Sequence, residues 1–180
     1  EQVWCAILQR YVPEAPATQQ GINLIGPHLM GSRNWPNDIK EIERLLTAAE
    51  VPVNATMFRT MNVKDLPGIG QAAHNYILSC EDFPDYERKC AELGMPRWGE
   101  DLVLPLGMKN TEEWYLAIAR QFGNQEKAKA QLQQDMDLVK SQMRGNYNAT
   151  WALLAFSGKH VAILGFAPFA AALARSVFYD

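Results

Sequence analysis

Few side chains in this sequence combine reactive chemistry with a useful position, and two of them stand out. His28 comes directly after the run Ile22-Asn23-Leu24-Ile25-Gly26-Pro27, and Cys80 closes the run Asn75-Tyr76-Ile77-Leu78-Ser79-Cys80. If both runs are strands of one parallel sheet, both residues fall at its carboxyl edge, where such sheets bind ligands. An imidazole and a thiolate are both metal and cofactor ligands. Cys80 and His28 are therefore the expected cofactor-binding residues, with Cys80 the expected metal ligand. The plainer reading of Cys80 is a small apolar filler at a strand end.

The other candidates are weaker. His74 and His160 precede their apolar runs and so lie at the opposite edge. Cys5 sits in an N-terminal helical stretch, and Cys90 in a helix beside Lys89, where a structural role is the simpler one. No CxxC pair or His/Cys cluster with metal-ligand spacing is present. Glu81-Asp82 and Glu100-Asp101 pair carboxylates near strand ends, but acid–base work needs burial and a positioned partner. No serine lies in a nucleophile-elbow context. The turn Gly26-Pro27-His28-Leu29-Met30-Gly31-Ser32 lacks the GxGxxG spacing, and no GxxxxGK[ST] loop exists, which argues against standard nucleotide binding.

The elements that position these residues follow a βα rhythm. Residues 1–11 read as a helix with Val3, Trp4, Ile7, Leu8 and Tyr11 at helical spacing, and the Pro13 to Gln20 stretch as a linker. Residues 22–25 form strand one. An amphipathic helix follows, capped by Asn34 or Asn37, with Ile39, Ile42, Leu45, Leu46 and Ala49 on one face. Residues 51–57 form strand two, 63–73 a short helix interrupted at Pro67-Gly68, and 75–80 strand three. A helix over 84–93 ends at Gly94, and 101–106 reads as strand four. Asn110 or Thr111 caps the next helix, which carries Trp114, Ile118 and Phe122. A long polar helix over about 125–144 has only the stripe Leu132, Met136, Val139 and Met143, which suits a bridge between two parts. Residues 147–156 read as a short helix, 159–166 as a buried strand, and 169–179 as an apolar helix. Trp35, Trp98 and Trp114 flank turns and read mostly as core.

The expected fold is α/β: a three-layer α/β/α arrangement with a parallel, four- to five-stranded Rossmann-like sheet flanked by helices. The expected organisation is a helix and linker from a preceding domain over 1–20 and a βαβ-repeat domain over 21–124. Connecting helices take 125–157. The strand–helix over 158–180 either opens a next domain or adds to this sheet.

Composition narrows the class further. A net charge of −3 offers no basic field for nucleic acid. No apolar run reaches the roughly 20 residues of a membrane span. Three separated cysteines and no signal peptide point to a reducing, cytoplasmic setting. A chain that opens on Glu1 and closes on Asp180 directly after an apolar helix reads as a segment of a longer protein.

Four pieces, in order, resemble the nitrogenase component 1 family, which includes nitrogenase molybdenum-iron protein subunits and the dark-operative tetrapyrrole reductases. They are Ile22-Asn23-Leu24-Ile25-Gly26-Pro27; Asp38 with Glu41-Ile42-Glu43-Arg44-Leu45-Leu46 and Val53-Asn54; Asn75-Tyr76-Ile77-Leu78, with Leu93-Gly94-Met95-Pro96, Leu104-Pro105-Leu106-Gly107 and Thr111; and Gly158-Lys159-His160-Val161-Ala162-Ile163. The wording is most similar to protochlorophyllide and chlorophyllide reductase subunits and spans about residues 20–180. The resemblance implies a subunit of three similar α/β domains, with this chain the middle one and the start of the third. It implies an iron–sulfur-dependent oxidoreductase in which a partner reductase drives ATP-dependent electron transfer to a tetrapyrrole or dinitrogen-type substrate. It also implies a hetero-oligomer with iron–sulfur clusters in the intact complex, whose ligating cysteines belong to the first domain. The isolated chain is then expected to be inactive and without a cofactor. Some members hold a cofactor through a middle-domain cysteine close to the position of Cys80, here one residue further from Asn75; the tetrapyrrole reductases lack that ligand. The alternatives are a non-catalytic scaffold for metallocofactor or tetrapyrrole assembly and an unrelated small-ligand α/β module.

Overall fold

The structure is a computed structural model that describes residues 1–13, 20–26, 35–57, 61–78, 83–143 and 158–179. In chain order the elements are α1 (Gln2–Tyr11), β1 (Ile22–Ile25), α2 (Trp35–Ala48), β2 (Val53–Met57), a 3₁₀ helix (Val63–Gln71), β3 (His74–Ile77), α3 (Pro84–Glu92), α4 (Met108–Phe122), α5 (Gln125–Met143) and α6 (Ala167–Tyr179). The three strands form a parallel sheet in the order β2-β1-β3. Alternate residues of each strand face opposite layers, so the sheet divides the core in two. Ile22, Leu24, Tyr76 and Leu78 point to one side, where α2, α4 and α5 cover them. Ile25, Met57 and Ile77 point to the other, under α1, the 3₁₀ helix and α3. The three-layer α/β/α class expected from the sequence is the one found.

Each helix is placed by its apolar face. Ile39, Leu45, Leu46 and Ala49, four of the five positions expected to face inward on α2, are buried, and Ile42 is partly so. Leu8 of α1 is fully buried against the second layer, so α1 serves as a wall of this core. Its Glu1 carboxylate also accepts hydrogen bonds from the Asp85 and Tyr86 amides, at 2.6 and 3.1 Å, at the start of α3. That places a negative charge on a helix N-terminus whose own cap residue, Phe83, has no side-chain acceptor. At the other end of α3, Gly94 (φ +80°) takes the left-handed conformation, and the bonds Gly94 N–H to Ala91 O and Met95 N–H to Cys90 O complete a Schellman stop. Gly21 (φ +73°) opens β1, where a Cβ would run into the Pro52 carbonyl oxygen.

Two strands expected from the sequence are absent among the described residues. Residues 101–106 curl instead of extending: the Leu102 amide turns back to Gly99 O and the Leu106 amide to Leu104 O. Pro105 has no amide to offer a ladder. The edge of β3 is met instead by a single parallel bridge at Arg97, closed by Asn75 N–H to Pro96 O and Trp98 N–H to Asn75 O. The stretch 159–166 joins no ladder among the described residues, and Leu164 is 97% and Phe166 60% exposed. Its apolar character signals burial without saying which sheet supplies it. The helix caps also differ. Gly107, not Asn110 or Thr111, precedes α4, and Asn110 lies inside its first turn.

The sheet is tied across by three asparagines. Asn23 donates to Asn75 Oδ1 (2.8 Å) and to Ile69 O (3.0 Å), and accepts from Asn54 Nδ2 (2.9 Å). Asn54 also donates to Gly68 O, and Asn75 to Met95 O, each at 2.9 Å. Asn23 and Asn75 are buried. A break in register between Ile22 and Asn23 leaves Asn54 as the extra residue on β2. Removing one member strands its buried partners. Asn23→Ala or Asn75→Ala is expected to lower the unfolding free energy by about 2–3 kcal/mol, and Asn54→Ala by less, read from urea midpoints at constant slope.

Candidate functional site

The carboxyl edge of the sheet is described as far as Gly26, Met57 and Leu78, which are joined by Gly26 N–H to Met57 O (3.0 Å) and Leu78 N–H to Ile25 O (2.7 Å). His28 and Cys80 lie outside the described residues, as do Glu81-Asp82. Glu100 and Asp101 are exposed in a turn, the solvated setting expected of them. His74 heads β3, its ring edge against Phe122 at 5.4 Å, at the opposite end from the carboxyl edge.

Beside that edge a groove of about 950 Å³ opens between α2, α4, α5 and α6. Ile39, Ile42 and Leu45 of α2, Trp114 and Leu116 of α4, and Leu132, Met136 and Val139 of α5 supply its apolar walls. Phe169 of α6 and Leu78 complete them, and the loop from Leu104 to Lys109 borders one end. Three members of the narrow α5 stripe thus face this groove rather than a distant body. Met143, the fourth, is 41% exposed.

Charged side chains hold the walls in place. Arg44 bridges Glu41 at 2.6 Å and Asp135 at 2.7 Å, which locks α2 to α5 at the rim. These bonds, Glu41 first, raise the guanidinium pKa against the opposing effect of burial. Arg175 pairs with Glu113 at 2.6 Å, and Asn110 Nδ2 donates to Leu106 O (2.7 Å) and Ala172 O (2.8 Å), so α6 is fastened to α4. Tyr115 donates to Leu45 O at 2.6 Å and joins α4 to α2. Among the described residues, the Trp114 indole N–H, the Tyr76 hydroxyl and Asn110 Oδ1 are buried without a partner. Trp114 packs against Tyr76 with ring centres 5.9 Å apart. Reading Trp98 and Trp114 as core was right. That Trp114 also lines a cavity needed the α4–α5 packing, which no local pattern shows.

The described thiols do not form a metal site. Cys90 is buried and Cys5 half-buried, both in the apolar layer of α1 and α3. Burial pushes the Cys90 thiol from 9.0 up to about 12, with the Tyr86 hydrogen bond acting in the opposite direction. A protonated, buried thiol is a poor metal ligand. No group of three or more His, Cys, Asp or Glu able to hold a metal occurs among the described residues. The described residues therefore do not fit an iron–sulfur ligand set.

Fold and groove together define a parallel three-layer α/β domain with an apolar recess beside the carboxyl edge of its sheet. Residues 1–178 match the family model for nitrogenase component 1 type oxidoreductase, and the chain belongs to that family. A light-independent protochlorophyllide reductase subunit from Methylobacterium sp. (strain 4-46) is 28% identical over 103 residues, covering 56% of this chain and 19% of that protein. This chain thus spans well under two thirds of that relative's length. No solved structure matches it. No helix among the described residues is long and apolar enough to cross a membrane.

The buried acids set an alkaline limit. Tyr115 is also pushed up, from 10.0 to about 12, chiefly by burial. Both groups keep in the folded state a proton that the unfolded chain sheds earlier, so their contribution is complete below pH 9 and is lost as pH rises toward 12. Unfolding midpoints are expected to hold below pH 9 and fall across that window, with less of a fall in Cys90→Ala.

Proposed function

We propose that this chain is part of a nitrogenase-like, iron–sulfur-dependent reductase subunit. A partner reductase delivers electrons in an ATP-driven step to a substrate of the tetrapyrrole or dinitrogen type. The observation that carries this reading is the family match over residues 1–178, supported by a relative named as a protochlorophyllide reductase subunit. The three asparagine-bearing pieces of the resemblance also fall on the three strands of one sheet.

Within the proposal, the cluster ligands come from other parts of the subunit and its partners, because Cys5 and Cys90 lie in the apolar layer of α1 and α3. The stretch 158–179 opens a further domain, which would cover the apolar side chains of Val161, Leu164 and Phe166 now in solvent. Cys80 and His28 are the residues of this chain proposed to reach a cofactor at the shared edge, in a cytoplasmic complex.

The test is anaerobic purification of the full polypeptide carrying this sequence with its partner subunits and ATP-dependent reductase. Substrate reduction should require ATP, the reductase and an iron–sulfur absorption band, and the 180-residue chain alone should give no turnover. Turnover by the chain alone, or a complex without iron, would contradict the reading. Cys80→Ser should change the cofactor spectrum if the thiol is a ligand and leave it unchanged if the thiol is filler.

A further inference from the structure

We propose that Cys5 of α1 and Cys90 of α3 are a paired oxidative modification site, at which a small-molecule disulfide converts the two thiols into a bond that staples α1 to α3. The proposal stands apart from the reductase reading and from Cys80.

Three observations place the two thiols together. The first is helix register. The Glu1 carboxylate accepts from the Asp85 and Tyr86 amides, so α1 and α3 start side by side. The Cys5 amide donates to the Glu1 carbonyl at 3.0 Å, so Cys5 lies one turn along α1 on the face that Glu1 presents. Cys90 lies one turn along α3 from Tyr86, on the face that Tyr86 presents. Each step advances about 6 Å, so the two cysteines stand at one level. The second is packing. Trp4, next to Cys5, lines a small void with Phe83 and Tyr86, and Cys5, Leu8, Tyr86 and Cys90 share one apolar cluster. Facing residues on helices packed about 8–10 Å apart bring their Cα atoms to roughly 4–6 Å, the span of a disulfide. The third is electrostatic. Burial first, and then both the Cys90 and the Cys5 thiols, raise the Tyr86 hydroxyl pKa. The Cys5 thiol also adds to the rise that burial gives Cys90.

The two thiols differ in access, which orders the chemistry. Cys5 is half-buried and Cys90 only 2% exposed, so Cys5 meets the reagent. Its thiolate attacks one sulfur of the small disulfide; that S–S bond breaks, and the leaving thiolate takes up the proton Cys5 gave to solvent. Cys90 then loses its proton to solvent and attacks the Cys5 sulfur, and the second small thiol leaves and is protonated. Two protein thiols are oxidised by two electrons, and one disulfide is reduced to two thiols. In a reducing setting the dithiol form prevails, and the staple closes under oxidative load.

The experiment uses the 180-residue chain carrying Cys80→Ser, which leaves Cys5 and Cys90 as its only thiols. Oxidised glutathione is the probe, and intact mass and tryptic peptides are the readout. Folded, monomeric chain should lose about two hydrogens in mass, with peptides Glu1–Arg10 and Cys90–Arg97 joined and released again by dithiothreitol. The urea midpoint of the oxidised form should exceed that of the reduced form. Cys90→Ser should stop at a stable glutathione adduct on Cys5, and Cys5→Ser should stay unmodified while folded. Glutathione release from the Cys5 adduct should quicken roughly tenfold per pH unit near neutrality, because the Cys90 thiolate fraction does so below about 12, with Tyr86 and Glu87 the other titratable groups acting on it. Circular dichroism identifies any variant that fails to fold, and the joined peptides of the Cys80→Ser chain decide the matter without the other two. A lasting Cys5 adduct in that chain, no reaction, a bond between two copies, or joined peptides only after unfolding in urea would each overturn the proposal.

Discussion

The structure depends on a narrow band of buried amide chemistry across a very small sheet. A three-stranded parallel sheet with four- and five-residue strands has few ladder bonds to set its register. The Asn23–Asn75 bond and its extension to Asn54 supply what the ladders lack. They also anchor the carbonyls of Gly68, Ile69 and Met95, where the 3₁₀ helix and the turn after α3 end beside the strands. A polar network in a core is stable only when its members are satisfied. A one-residue slip would turn these amides to the other face, where apolar side chains could offer them no partners.

With register set, the two layers acquire different tasks. The layer of α1, the 3₁₀ helix and α3 is closed: Leu8, Ile69, Cys90 and Met95 are almost fully buried, and a carboxylate from the first residue caps α3. The layer of α2, α4 and α5 is closed only over the strands. Beyond Leu132, α5 runs on with Met136 and Val139 facing a groove instead of a core. Ion pairs brace that side, but exposed pairs contribute little stability, so they define spacing more than strength.

Much of this was legible in the sequence. The βα rhythm, the inward face of α2, the Gly94 stop and the extent of α5 follow from periodicity and turn chemistry, which are local signals. The errors share a cause. Residues 101–106 and 159–166 read as strands from apolar content, yet strand formation needs a neighbour, and neighbours are a property of the fold. Asn110 read as a cap because caps are the usual use of asparagine, whereas here it reaches across to the Ala172 carbonyl. The asparagine ladder was in plain view as Asn23, Asn54 and Asn75 within the family-like pieces, but its meaning required the register that brings β1, β2 and β3 together. The groove required the packing of four helices distant in sequence. His28 and Cys80 were chosen from the logic of the sheet's edge, and they remain proposals that Cys80→Ser addresses directly.

The central claim is that this α/β unit works inside a larger nitrogenase-like subunit. Hydrogen exchange of the chain alone and within the assembled full-length complex tests it most directly, because amide protection reports burial segment by segment. The account predicts slow exchange in β1 and β3 in both states. It predicts fast exchange in 159–166 and along the groove face of α5 in the isolated chain, with strong protection of both in the complex. Equal, fast exchange of 159–166 in the two states would contradict it.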